Sequence, residues 1–155
     1  MRIGKNDYFM RIAETVSLRA SCPRRKVGCV LVSYQGNILA TGYNGPPRHR
    51  PHCSDGAPCN GALSKSGEGL DKCAAVHAEQ NALLQCGNVE DICAVYTTTK
   101  PCVHCVKMLM NTGAKTIYYS EDYPAMDTRA IWNDDKLGRS MLHLEGGRFE
   151  QQLGL

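Results

Sequence analysis

No apolar run in these 155 residues exceeds the length of a β-strand. A helix that crosses a bilayer needs roughly 20 such residues in succession, so no membrane partner is expected. The opening residues, "MRIGKNDYFM", lack the apolar centre of a secretory leader. Internal repeats and low-complexity tracts are also missing, which excludes solenoid and fibrous architectures. Charge of one sign is scarce: the formal net charge is +3 and the basic residues are scattered. The one basic cluster, Arg24-Arg25-Lys26, is short and reads as a solvated loop, so nucleic acid is not an expected partner. Hydrophobic residues at 43% and charged residues at 21% are ordinary for a globular protein. The simplest organisation is one domain over 1–155 with a real core.

Cysteine, by contrast, is abundant. Nine cysteines are present, an odd count. A secreted disulfide scaffold would be smaller, with an even count and a leader. Thiolates bound to metal in a reducing compartment are the better reading, which points to a cytoplasmic location. Such thiolates would also make the protein less basic than its formal charge indicates.

Residues 6–20 read as a helix, capped by Asn6 or Asp7, with Phe9, Ile12, Ala13 and Val16 on one face. Residues 27–33 and 37–43 read as strands joined by a turn at 34–37, and the first is apolar enough for burial on both faces. Residues 44–72 form a long insertion loop rich in Gly, Pro and Ser, which needs a function or a clamp to stay ordered. Then follow a helix at 74–86, a strand at 91–99, a helix at 101–113, a strand at 115–120, a helix at 127–137 and a strand at 140–145. This order predicts an α/β domain in three α/β/α layers around a mixed sheet of five strands.

Two groups that are costly to bury, His77 and Glu79, stand two apart in a helix that otherwise looks apolar. "PCVHC" places Cys102 and Cys105 three apart at another helix start, on one face, where free N–H groups and the positive end of the helix favour thiolates. Two helix starts that follow neighbouring strands can meet at one edge of a sheet. His77, Cys102 and Cys105 would then hold a metal ion and leave one coordination position open, the mark of a catalytic rather than a structural zinc. Glu79, beside that position, could take a proton from water and pass it to a leaving group. Iron could occupy the same ligands.

The pattern H-x-E followed by P-C-x-x-C resembles the zinc deaminase signature. With "RRKVGCVLV", "ILATGYNGPP", "PHC", "HAEQNALL", "VYTTTKPCVHC" and "GAKTIYYSEDYP" in that order, the sequence resembles the cytidine deaminase superfamily and, within it, the deoxycytidylate (dCMP) deaminases. The resemblance implies zinc-dependent hydrolysis of dCMP to dUMP and ammonia, supplying dUMP for thymidylate synthesis. It implies that Glu79 shuttles protons, that Asn44 hydrogen-bonds the nucleoside and that Tyr123 packs near the sugar-phosphate. The phosphate needs cationic donors, for which Arg25 and Lys26 are candidates. It further implies a homohexamer activated by dCTP and inhibited by dTTP, with Mg2+ accompanying the triphosphate near Gly42, Tyr43 and Gly45.

Some proteins of this kind carry a second, structural zinc. Cys22 and Cys53 match two of its ligand positions, and local reasoning adds Cys59 and Cys73. Four thiolates would clamp the long loop. His52 is a rival fourth ligand, and His49 a weaker one. Cys29, Cys86 and Cys93 fall in apolar elements and read as core residues. His104 lies on another helix face and reads as a non-ligand; His143 has no assigned role. Free cytidine deaminases usually have Cys where His77 stands, and a tRNA adenosine deaminase would not need the cysteine-bearing loop. A non-catalytic zinc module would need no Glu79 and would close its zinc sites with four protein ligands.

Overall fold

A computed structural model describes residues 1–56, 58–65, 68–69, 72–123 and 127–145. Nine elements run in the order α1 (Lys5–Ser17), β1 (Gly28–Ser33), β2 (Ile38–Tyr43), α2 (Ala78–Gln85), β3 (Ile92–Thr99), α3 (Val103–Leu109), β4 (Thr116–Glu121), α4 (Thr128–Trp132) and β5 (Ser140–His143). The strands form one sheet in the order β2-β1-β3-β4-β5. β1 is antiparallel to both β2 and β3, whereas β3, β4 and β5 are parallel. The expected five-stranded mixed sheet is therefore present.

β1 sits between two partners and is buried at all six positions, which is why its sequence carries no polar alternation. Its odd and even residues feed different cores. Cys29 and Leu31 join α2, α3 and α4 on one face, with Val95, Val106, Ile117 and Trp132. Val30 and Val32 face α1, where they meet Phe9, Met10, Ala13 and Tyr96. Among the described residues, α1 is thus the one helix on that side of the sheet. Met10 is buried with Phe9 and Ala13, whereas Val16 is only partly buried. The cap of α1 is Gly4, not Asn6 or Asp7, because the helix begins one residue earlier. Asn6 is occupied elsewhere: its Oδ1 accepts from the Tyr96 hydroxyl at 2.8 Å.

Two glycines set how closely the helices approach. A Cβ on Gly28 would fall 1.9 Å from the Ala13 carbonyl oxygen, and one on Gly42 would fall 2.3 Å from both Ala78 O and Ala82 N. α2 therefore rests directly on β2. Its side chains also satisfy that edge strand: Asn81 Nδ2 donates to Tyr43 O and Gln85 Nε2 to Thr41 O, each at 2.8 Å.

Several elements are shorter than the sequence predicts, among them α1, which ends at Ser17, and α3, which runs only Val103–Leu109. α2 starts at Ala78 rather than 74, because Val76 is held extended by paired backbone bonds with Gly45 (3.2 and 2.8 Å). α4 ends at Trp132 because Asn133 is extended and Asp134 Oδ1 accepts from the N–H groups of Lys136 and Leu137, closing a turn. β5 ends at His143.

Candidate active site

Two helix starts do converge. His77 is the N-cap of α2, with its N–H bonded to Gln80 Oε1 at 2.9 Å, and Cys102 is the N-cap of α3. His77 Nδ1 lies 3.4 Å from Cys102 Sγ and 3.5 Å from Cys105 Sγ. All three donor atoms lie within 4.8 Å of one another, and among the described residues no fourth His, Cys, Asp or Glu joins them. Nitrogen and sulfur ligands at ordinary zinc distances, set at a tetrahedral angle, stand about 3.5 Å apart, so the triad fits that ion.

The electrostatics agree. Cys102 is pulled down to about 3, first by the hydrogen bond from Cys105 and then by the one from His77. That same bond with Cys102, followed by burial, pushes the Cys105 thiol up. His77 is raised by its bond with Cys102. The triad is a ready thiolate–imidazole set that a cation would complete.

Glu79 lies in the first turn of α2 and is buried, with 4% of its surface exposed. Burial raises its carboxyl above the ordinary range. Its Oε1 accepts from Thr97 Oγ1 at 3.1 Å. Glu79, His77 and Cys102 all face one pocket. A buried carboxyl beside an incomplete ligand set can move a proton; on the protein surface it would only be solvated.

The remaining predicted residues divide. Asn44, Arg25 and Tyr123 line this pocket. Asn44 has part of its amide committed, with Oδ1 accepting from Val27 N–H at 2.8 Å and Nδ2 donating to Arg25 O at 2.9 Å. The residue thus shapes the wall and keeps one N–H to offer. Arg25 stacks over Tyr123 at 4.9 Å, and its Nη1 is buried with no hydrogen-bond partner. Lys26 is exposed and is not among the residues that line this pocket. Gly42 is buried against α2. Tyr43 offers its carbonyl to Asn81, and Gly45 pairs with Val76.

Cys22, Cys53, Cys59 and Cys73 line a second cavity, which Gly45 also borders. Cys59 N–H donates to Cys53 Sγ at 3.5 Å. Backbone N–H groups, Ala74 first, lower the Cys59 thiol. These sulfurs are less tightly gathered than the first set. His52 and His49 are exposed and do not line the cavity, and His52 Nδ1 is bonded to Ser21 Oγ at 2.7 Å. Arg24, expected to be solvated, instead holds the loop: Nη1 donates to Gly61 O (2.5 Å) and Glu68 O (3.1 Å), and Nη2 to Lys65 O.

Of the other cysteines, Cys29 is in the core, Cys86 packs at its margin and Cys93 is half-buried. His104 is exposed, as a non-ligand should be. His143 stacks on Tyr119 and bonds Ser120 O at 2.9 Å. The sequence reading gave no role to Thr97, Thr99 or Lys100. Thr99 and Lys100 are pocket-wall residues, and Lys100 Nζ is held 2.6 Å from Asp122. The available signal was three consecutive threonines closing a buried strand just before a ligand pair.

One imidazole and two sulfurs, with no fourth such donor among the described residues and a buried carboxyl close by, make a candidate single-metal site on an α/β/α scaffold. Residues 3–121 match the cytidine and deoxycytidylate deaminase zinc-binding region, and the chain belongs to that family. It is 37% identical over 123 residues to the deoxycytidylate deaminase of Mycobacterium phage D29, covering 76% of this chain and 94% of that one. It is 39% identical over 127 residues to the deoxycytidylate deaminase of Saccharomyces cerevisiae (79% of this chain, 39% of that one). With ComE operon protein 2 of Bacillus subtilis it shares 40% over 126 residues (79% and 62%). The chain therefore spans less than two thirds of the length of both the yeast and the Bacillus relative. The crystal structure of the cyanophage S-TIM5 dCMP deaminase in complex with dCMP and dUMP superimposes with a TM-score of 0.70 at 28% identity, over 93% of this chain and 99% of that one.

Proposed function

We propose that the chain hydrolyses dCMP to dUMP and ammonia. The observation that carries this reading is the buried Glu79 carboxyl beside a three-donor set that lacks a fourth protein ligand among the described residues. A zinc ion held by His77, Cys102 and Cys105 would act as a Lewis acid toward water. Glu79 takes the proton of that water as oxygen adds to C4 of the pyrimidine, then delivers protons to the ring and to the departing amine. Water supplies the new oxygen and ammonia carries off the nitrogen, so no redox partner is needed. Arg25, with its buried and unpartnered Nη1 braced on Tyr123, suits the phosphate, where a charge-assisted bond would complete it. Asn44 offers its remaining N–H to the nucleoside.

The S-TIM5 protein, crystallised with dCMP and dUMP, supports the choice of a nucleoside monophosphate. His77 argues against a free cytidine deaminase, and the cysteine-bearing loop against a tRNA adenosine deaminase. A non-catalytic zinc module has no use for a carboxyl buried at an open position.

The reading extends to a second, structural zinc on Cys22, Cys53, Cys59 and Cys73, supported by their shared cavity. It also includes dCTP activation and dTTP inhibition with Mg2+ near Tyr43 and Gly45, and a homohexamer supplying dUMP for thymidylate synthesis in the cytoplasm. Leu84 on α2 and Met108 on α3 expose apolar surface that a neighbouring subunit could cover. Among the described residues no helix is long and apolar enough to cross a membrane.

The test is ammonia release from dCMP, dCTP, cytidine and a tRNA anticodon hairpin in parallel, with Glu79→Gln beside the unaltered protein. Turnover of dCMP that disappears in Glu79→Gln supports the proposal. Absence of turnover on every substrate returns the chain to a binding module.

A further inference from the structure

Resting on the deaminase reading above, we propose that Thr97 is a positioning residue for Glu79, its hydroxyl fixing the carboxyl throughout the proton transfers. Thr97 is on β3, wholly buried and on the face that meets α2. Its Oγ1 stands 3.1 Å from Glu79 Oε1 and 3.1 Å from the Thr99 carbonyl oxygen. A hydroxyl has one proton to give and lone pairs to accept with, so it cannot donate fully to both oxygens at once.

Thr97 is placed to give that proton to Oε1, the carboxyl oxygen turned toward it. When Glu79 takes a proton from water on its other oxygen, Oε1 remains an acceptor and the bond from Thr97 persists. The carboxyl stays in place in both states, and no heavy atom has to move. Thr97 keeps its own proton throughout, so the transferred proton passes only between water, Glu79 and the pyrimidine. Cys105, whose sulfur stands near enough to influence the Glu79 carboxyl, belongs to the ligand triad. A sulfur bound to metal has no proton to donate, which leaves Thr97 as the side-chain donor to that carboxylate among the described residues. Bonds to charged groups are also the ones whose loss costs most when buried.

The experiment compares Thr97→Val, close in shape but without the hydroxyl, with Thr97→Ser, which keeps it. Readouts are kcat and KM for dCMP, metal content, thermal midpoint and the Glu79 side-chain orientation in crystals. The expected result for Thr97→Val is a kcat lower by about 10- to 100-fold, with KM within about two-fold and metal content unchanged. Glu79 should be turned away or split between orientations. Thr97→Ser should recover most of the rate and the single orientation. A Thr97→Val protein with normal kcat, or a Thr97→Ser protein as slow as Thr97→Val, overturns the proposal. Should Thr97→Val fail to fold, Thr97→Ala takes its place against Thr97→Ser with the same criteria. Should the unaltered chain not deaminate dCMP, the functional reading fails first. The crystals still decide this inference, because a Glu79 carboxyl held identically with and without the hydroxyl refutes it.

Discussion

The two sulfur clusters of this chain are built in opposite ways. His77, Cys102 and Cys105 stand at the starts of α2 and α3, on backbone fixed by the sheet and the core beneath it. Cys22, Cys53, Cys59 and Cys73 stand in loops, gathered round a cavity with few regular hydrogen bonds between them. The first set has its donors at ligand spacing, whereas the second has only a shared space. A site made by packing should survive loss of its metal with its geometry intact. A site made by loops should depend on the metal for its order.

The largest effect expected is that of Glu79→Gln. It should lower kcat for dCMP by roughly a thousand-fold or more, within the usual reach of general acid–base catalysis, while metal content stays constant. Steady-state rates beside elemental analysis check this; retained activity would remove the carboxyl from the mechanism.

Next, the two sets should lose metal independently. Cys102→Ser should abolish activity and remove one metal equivalent, leaving the thermal midpoint little changed. Cys53→Ser should remove the other, lower the midpoint and expose residues 53–65 to proteases, with kcat retained on the folded fraction. Loss of both metals in either variant would end the contrast.

Gly42→Ala tests the packed site without touching a ligand. The added methyl would press on the backbone of Ala78 and Ala82 and displace α2 with His77 and Glu79. A cost of about 3 kcal/mol, as for overpacking elsewhere, should appear in denaturant unfolding. A neutral outcome would mean that α2 is less firmly seated than these distances imply.

The smallest effect is that of Arg24→Ala. Its guanidinium holds three loop carbonyls but is partly open to water, so the loss should be about 1 kcal/mol, with faster proteolysis of the loop. Proteolysis at the unaltered rate would give the whole clamp to the cysteines.

Much of this was legible beforehand, for identifiable reasons. The apolar run of β1, the ligand spacing of Cys102 and Cys105 and the cost of burying Glu79 are local signals, and each found its counterpart. Long-range contacts were less legible. Nothing near Val76 announces that Gly45, 31 residues earlier, will hold it extended and delay α2. The contrast between Arg25 and Lys26 exists only once the pocket has formed. Arg24 reads as a solvated cation until the loop folds back over it. The threonines of β3 stood in plain view, but their hydroxyls acquire a partner only when α2 lies across the sheet.

Cys22, Cys73 and Ala75 border both chambers, so the partition between them is a single thickness of chain. From Cys73 to His77 that chain runs four residues, with Val76 fastened to Gly45 on the way. The fastening lies between the sulfur end and the imidazole end, so movement of the long loop is arrested one residue before it reaches His77.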